Sequence, residues 1–365
     1  MKNIKILHTA DLHLDSAFEA LPAGKAAIRR AEQRELLSRL AELARSERAD
    51  IVLLAGDIFD GGGTYFETGA EFVRCLRDMS VPVFIAPGNH DPYDARSPYA
   101  KLDIPQNVRI FTERDVECAE LPELGVRVYG AAFTGSTDGP DITNIRTERA
   151  EGTWNILCAH GEVGFDPVNE QALSASGLDY AALGHIHKAS GLRRSGGTWY
   201  SWPGCPEGRG FDETGEKTVS IVELSDSGYR LTPVSIASRR YEILPVEVTG
   251  CDPLLAVHTV LPENTARDVY RIVLTGEVDT PPDLSRLRRN LDDCFFSLQL
   301  RDETRLRQDV WERAEEDSLR GIFLRKLREK YNSAQSEERE LIEQAARWGL
   351  AALDNMEEVV RHEDK

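Results

Sequence analysis

Short apolar runs recur through the first half of the chain: Ile4–Leu7, Ile51–Ala55, Val83–Ala86, Ile156–Cys158 and Tyr180–Leu183. Each has the length of a buried strand rather than a helix, and each gives way to polar residues and glycine. Between the first three, the spacing becomes helical. Ile28, Leu36, Leu37, Leu40 and Leu43 recur along one stripe, and Phe72, Val73 and Leu76 along another. Strands ending in turns and linked by helices predict an α/β sandwich with functional loops at one edge of a sheet. From about Val108 the runs shorten to Val108–Phe111, Val126–Phe133, Asn155–Cys158, Thr198–Ser201, Thr218–Leu224 and Arg230–Ile236, predicting a second sheet packed on the first.

The pattern changes near Ser238–Arg240, so residues 1–238 form the expected first domain. Beyond it, strands are expected at Tyr241–Thr249, Val269–Leu274 and Phe295–Leu300, with helices at Pro253–Val260 and Leu284–Leu291. These make a small α+β cap domain over residues 239–304. Residues 305–365 read as helical. Trp311, Ala314, Leu319, Ile322, Phe323, Leu327 and Tyr331 share one stripe, and Ser336 with Glu337 and Glu338 is a favourable helix start. A second stripe carries Leu341, Ile342, Ala345, Ala346, Leu353, Met356 and Val360, with Trp348 beside it. Such stripes either pack on the cap or dock a partner.

At 365 residues, with 41% hydrophobic and 29% charged, the chain has the balance of a globular protein of about two domains. No run approaches the roughly 20 apolar residues needed to span a bilayer, so no membrane association is expected. A strand pattern begins within four residues of the start, and no cleaved leader is expected. The six scattered cysteines read as reduced thiols of a cytoplasmic protein. A net charge of −18 argues against tight unaided binding to nucleic acid, which normally requires a basic face. Either a partner supplies that affinity or the substrate is not a long polyanion. Arg193, Arg194, Arg209, Arg239 and Arg240 are the nearest approach to a basic cluster close to the motifs, against a default of scattered surface arginines.

The candidate chemistry sits where the apolar runs end. Asp11-Leu12-His13, Gly56-Asp57-Ile58-Phe59-Asp60, Gly88-Asn89-His90-Asp91, Cys158-Ala159-His160-Gly161 and Gly184-His185-Ile186-His187 together hold five of the chain's 8 histidines. Two neighbouring divalent cations need a bridging carboxylate and neutral nitrogen or amide ligands. Asp57 is the natural bridge, Asn89 offers a carbonyl oxygen, and His160, His185 and His187 offer imidazoles. Asp11 and His13 can face one ion if the strand ends between them. The flanking glycines let the backbone turn sharply and approach an ion closely. His8, His258 and His362 read as structural.

This order of motifs resembles the calcineurin-like metallophosphoesterase superfamily. His8 through Ser16 and the later Pro203-Gly204-Cys205-Pro206-Glu207, with Glu213 and Lys217 beyond, resemble its bacterial SbcD/YhaO exonuclease group; the similarity covers roughly residues 4–224. It implies a two-sheet αββα sandwich and two divalent ions, commonly Mn2+. One ion would be held by Asp11, His13, Asp57 and His187, the other by Asp57, Asn89, His160 and His185. It also implies that His90 is not a ligand but pairs with Asp60, which fixes its tautomer, and protonates the leaving oxygen after a metal-bridging hydroxide attacks phosphorus in line. Nucleases of the group often vary at the Asp60 position, so Asp60 leans the site toward general phosphoesterase chemistry. The implied partners are DNA and an SbcC-like coiled-coil ATPase, and family members pair through helices of the catalytic domain, leaving a homodimer open. The expected function is thus a DNA exonuclease subunit in repair or recombination. A small-substrate phosphodiesterase or phosphatase, and a weakly active scaffold for the ATPase, stand as alternatives.

Overall fold

In a computed structural model, which describes residues 1–61, 63–164, 168–306 and 310–363 apart from the side chains at 336, 337, 340, 351 and 354–363, the first apolar run is the central strand β1 (Ile4–Thr9). After it come α1 (Ala23–Ser46), β2 (Ile51–Leu54), α2 (Phe66–Met79), β3 (Val83–Ile85), α3 (Pro98–Lys101) and β4 (Val108–Ile110). The next stretch holds β5 (Glu117–Leu121), β6 (Val126–Gly130), β7 (Trp154–His160), α4 (Glu170–Ala175) and β8 (Tyr180–Gly184). β9 (Arg193–Ser195), β10 (Thr198–Ser201), β11 (Val219–Ser225) and β12 (Gly228–Val234) follow.

Among the described residues, one six-stranded sheet runs β12-β11-β1-β2-β3-β4 and the other β5-β6-β7-β8-β10-β9. The period-2 alternation of side chains sets the layers. Ile4, Ile6, Ile51 and Leu53 point between the sheets, where they meet Val128, Trp154, Ile156 and Tyr180. Leu7, Val52 and Leu54 point the other way, onto Leu36, Leu37 and Leu40 of α1 and Phe72 and Leu76 of α2. The outer face of the second sheet buries Leu157, Ala159, Ala181 and Leu183 against Leu173 and neighbouring loops.

Two sequence expectations need correction. Not every strand after Val108 joins the second sheet: β4 continues the first sheet parallel to β3, and β11 returns to pair antiparallel with β1, Ile6 opposite Val222. An apolar run identifies a strand but not its partner, and β1 would otherwise present an unpaired edge. On α1, Leu36, Leu37 and Leu40 are buried but Ile28 is exposed; Ala26, Arg29 and Gln33 occupy the inner face instead. The first half of α1 faces polar groups. Arg29 Nη2 donates to Glu207 Oε1 at 2.6 Å, and Gln33 Nε2 donates to the carbonyl of His13 at 3.0 Å.

The remaining elements are β13 (Tyr241–Glu247), α5 (Pro253–Val260), β14 (Val269–Thr275), β15 (Glu277–Val278), α6 (Leu284–Leu291), β16 (Ser297–Asp302), β17 (Arg305–Leu306), α7 (Leu319–Ser333) and α8 (Ser336–Glu363). β13, β14 and β16 form a three-stranded sheet, and Tyr241 and Val269 from it pack with Phe18, Leu21 and Ala26. The chain divides into two compact units. The first comprises Met1–Pro245, Val260–Val273 and Ser285–Arg301, and the second Val246–Thr259, Leu274–Leu284 and Asp302–Lys365. Within the second, Val310, Ala314, Leu324 and Ala346 make a small core under α7 and α8. Leu319, Ile322, Leu341 and Trp348 are exposed. Of the expected second stripe and its helix start, the side chains of Ser336, Glu337, Met356 and Val360 lie outside the described residues, as does that of His362. No described helix is long and apolar enough to cross a membrane.

Trp154 lies between the two sheets, and its Nε1 donates to the carbonyl of Lys2 at 2.8 Å. Trp154→Ala should therefore lower stability by about 3–5 kcal/mol, seen as a lower denaturant midpoint for loss of near-ultraviolet circular dichroism.

Candidate metal centre

β1 ends at Thr9, and the chain then interleaves with the loop after β2. Asp11 N donates to the carbonyl of Gly56 at 2.9 Å, His13 N to that of Asp57 at 2.9 Å, and Leu14 N to that of Ile58 at 2.8 Å. To hold their side chains here, Asp11, His13, Asp57 and His185 adopt positive φ, at +54°, +43°, +51° and +94°. Such backbone is sparsely populated for residues other than glycine and persists only where its surroundings over-determine it. Close approach also needs glycine: a Cβ at Gly184 would sit 1.9 Å from the carbonyl oxygen of Ala55, and one at Gly88 would sit 2.2 Å from Asp57 Oδ1.

These loops gather nearly all the residues singled out from the sequence. Asp11, His13 and His187 form one group of mutually close donor atoms; Asp11, Asp57 and His160 form a second; His13, Asp57 and His90 form a third. Asp57 Oδ2 lies 3.7 Å from His13 Nε2 and 3.3 Å from His160 Nε2. Asn89 Oδ1 is 3.1 Å from His160 Nε2. His185 stands at the rim. Its ring centroid is 5.3 Å from that of His160, and its backbone N donates to both Asp11 oxygens at 3.1 Å. His90 is partly exposed; its N donates to Asp57 Oδ1 at 2.9 Å and its Nδ1 lies 3.4 Å from Asp60 Oδ1. Asp60 is shared, with His13 Nδ1 at 3.3 Å, Ser16 Oγ at 3.0 Å and Arg209 Nη1 at 3.8 Å. The contact with His13, aided by Ser16 and Arg209 against partial burial, brings its carboxyl down to about 2.

Orientation comes from behind. His160 Nδ1 donates to the carbonyl of Ala55 at 2.8 Å, leaving Nε2 directed at Asp57. His187 Nδ1 lies 2.7 Å from Glu213 Oε1, and Arg209 Nη2 donates to that same oxygen at 2.7 Å. A carboxylate or carbonyl behind an imidazole is the usual support of a metal-binding histidine. The most heavily used support is Asp91. Its carboxylate accepts from Asp57 N at 3.1 Å, Ile58 N at 2.6 Å, Phe59 N at 3.1 Å and Gly88 N at 2.8 Å, and from the hydroxyl of Tyr99. The sequence assigned no role to Asp91 or Glu213, although both stand in the quoted motifs. Of the five arginines near the motifs, only Arg209 reaches the centre. Arg193 and Arg194 lie over Trp202 and Trp199, Arg239 bonds Glu32, and Arg240 bonds Asp268. His8 is structural as expected, bonded to the Tyr180 hydroxyl at 2.9 Å and close to the Leu183 carbonyl at 3.2 Å.

The donor set fits divalent cations. Asp11 and Asp57 are buried side by side, an arrangement unfavourable for two carboxylates without compensating positive charge. Burial, with Asp57 adding to it, pushes the Asp11 carboxyl up to about 7. Burial opposes ionisation of Asp57 as well, but His160 and His13 hold its carboxyl well below the usual range. Reciprocally, burial is outweighed at His160 by Asp57, and its imidazole is pushed up to about 9. Protonated imidazole thus supplies positive charge that bound cations would replace.

This fold and centre define a metal-dependent phosphoesterase. The chain belongs to the calcineurin-like phosphoesterase family, whose model matches residues 4–189. It is 26% identical to an uncharacterized metallophosphoesterase, YhaO, of Bacillus subtilis over 325 residues, 82% of this chain and 78% of that protein. It is 24% identical to the DNA double-strand break repair protein Mre11 of Saccharolobus solfataricus, over 75% of this chain and 76% of that one. With the SbcD component of the SbcCD nuclease of Escherichia coli K12 it shares 34% identity over 61% of this chain and 66% of that one.

Two outcomes follow from this geometry. Asp91→Asn removes acceptors from the Asp57 loop and should weaken Mn2+ binding by about 10–100-fold by calorimetry, with the far-ultraviolet spectrum retained. Because Asp11 is pushed up to about 7 and His160 to about 9, both must shed protons to ligate. Mn2+ affinity should therefore rise as pH climbs through this range, and metal uptake should release protons measurable in weakly buffered solution.

Proposed function

We propose that the chain is a two-metal phosphodiesterase acting on DNA, the nuclease subunit of an assembly with an SbcC-like ATPase. The observation that carries the two-metal reading is the position of Asp57, whose Oδ2 is 3.7 Å from His13 Nε2 and 3.3 Å from His160 Nε2, so that one carboxylate can serve two ions. On this reading Asp11, His13, Asp57 and His187 hold one ion, and Asp57, Asn89, His160 and His185 the other. The oxygen and imidazole donors suit Mn2+ among other divalent metals. When bound, the two ions activate water as a nucleophile and neutralise charge on the phosphate. The chain's own groups do the rest. Glu213 and the Ala55 carbonyl fix the His187 and His160 rings. Asp60 orients His90, whose partly exposed ring donates a proton to the leaving oxygen.

The DNA substrate is supported by the Mre11 and SbcCD relatives, and the partner by the exposed Leu319, Ile322, Leu341 and Trp348 on α7 and α8. The charge of −18 favours hydrolysis of small phosphate esters as the competing reading.

With Mn2+, the full chain should degrade an end-labelled duplex and hydrolyse a chromogenic phosphodiester. His90→Gln should slow both by roughly 10²–10⁴-fold while Mn2+ binding persists. Intact DNA alongside rapid ester hydrolysis, with the ATPase present, would transfer the assignment to small substrates. Leu341→Asp with Trp348→Asp should abolish co-purification with a co-expressed SbcC-like ATPase and leave ester hydrolysis within about twofold, since these exposed side chains carry no core packing.

A further inference from the structure

A cavity of about 660 Å³ adjoins the candidate metal centre and shares His185 and His187 with it. Its most unusual lining residue is Lys217. This lysine is only 7% exposed, yet its ammonium has no hydrogen bond or ion pair to any described residue. Its alkyl stem is packed while its ammonium opens onto the cavity, where an anion can pair with it. The nearby Glu213 is already engaged by His187 and Arg209. The other acids of the lining, Asp212 and Glu216, are exposed, where solvent screens them. Lys188 adds a second cation to the lining and Thr214 a hydroxyl donor, while the Thr218 hydroxyl already donates to the Pro203 carbonyl at 3.3 Å.

We infer that this cavity is an anion subsite in which Lys217 receives a phosphate group. Resting on the phosphodiesterase reading above, that phosphate is the one next to the scissile diester along a nucleic acid strand. The subsite selects substrates with more than one phosphate and gives an acidic chain a local cationic foothold. Lysine suits the task as a compact charge that does not demand bidentate geometry.

The test compares wild type, Lys217→Met and Lys217→Arg as Mn2+-loaded full-length chains. One substrate is a labelled oligonucleotide, and the other is the nitrophenyl ester of thymidine monophosphate, which has a single phosphate. The methionine variant should raise KM for the oligonucleotide about tenfold more than KM for the ester, with kcat on the oligonucleotide changed less than twofold, and arginine should restore most of the loss. Equal impairment on both substrates would mark Lys217 as structural and overturn the inference.

A second arm uses the metal-stripped full chain and inorganic phosphate, followed by thermal shift. Saturable stabilisation should appear in wild type and Lys217→Arg and vanish in Lys217→Met. No saturable effect in wild type, or its survival in the methionine variant, would refute the subsite. A wild type that binds phosphate at Lys217 but leaves oligonucleotides intact would support the subsite and remove the nuclease assignment.

Discussion

The Asp91 carboxylate is the interaction on which the centre depends. It accepts three consecutive backbone N–H groups from Asp57 to Phe59, another from Gly88, and the Tyr99 hydroxyl, all away from bulk water. A buried carboxylate is tolerated only with such a set of donors. Burial, reinforced by the charge on Asp57, still lifts it to about 6. One side chain thereby clamps the loop after β2 to the loop after β3, fixing the separation of Asp57 from Asn89 and His90. Around that clamp the β1 and β2 loops interleave through their own backbone, and the histidines of the second sheet close over them.

This arrangement divides the labour between the sheets. The first sheet supplies the acidic floor, Asp11 and Asp57, from loops that follow parallel strands. The second supplies His160, His185 and His187 from the ends of β7 and β8, which pair in parallel with His160 opposite Gly184. The absence of a side chain at Gly184 is what lets the second sheet's imidazoles reach the first sheet's carboxylates, because the Ala55 carbonyl already occupies that space. The inter-sheet core of Ile6, Leu53, Ile156 and Tyr180 is therefore a distance gauge for the metal centre as well as a source of stability.

Much of this was legible from residue order. Pro253–Val260 and Leu284–Leu291 are helices with the bounds that their apolar spacing predicts, and Tyr241 and Val269 open strands as expected. Eight of the nine singled-out site residues carry donor atoms that meet within one cluster, with His185 at its rim. What escaped has a common physical cause. The roles of Asp91 and Glu213 consist of hydrogen bonds to backbone N–H groups and to a histidine 26 positions away, and such roles leave no spacing pattern. The destination of β4 and β11 also escaped, because a strand's apolar character records burial and not the neighbour it bonds. Arg29 departs from the apolar stripe of α1, since a guanidinium satisfied by Glu207 can be as buried as leucine.

The return of β11 to the edge of β1 bears on how the molecule is made. Residues 4–8 pair with residues 220–224, so the strand that begins this sheet keeps one edge bare until residues 220–224 have left the ribosome. Closing such a distant pairing is slow, and an open apolar edge invites pairing with other nascent chains in the meantime. β2 covers the opposite edge early, with Ile6 opposite Ile51, which leaves β11 as the last strand to join β1. Since Glu213 lies only a few residues before β11, the support of His187 is synthesised just ahead of the strand that covers this edge.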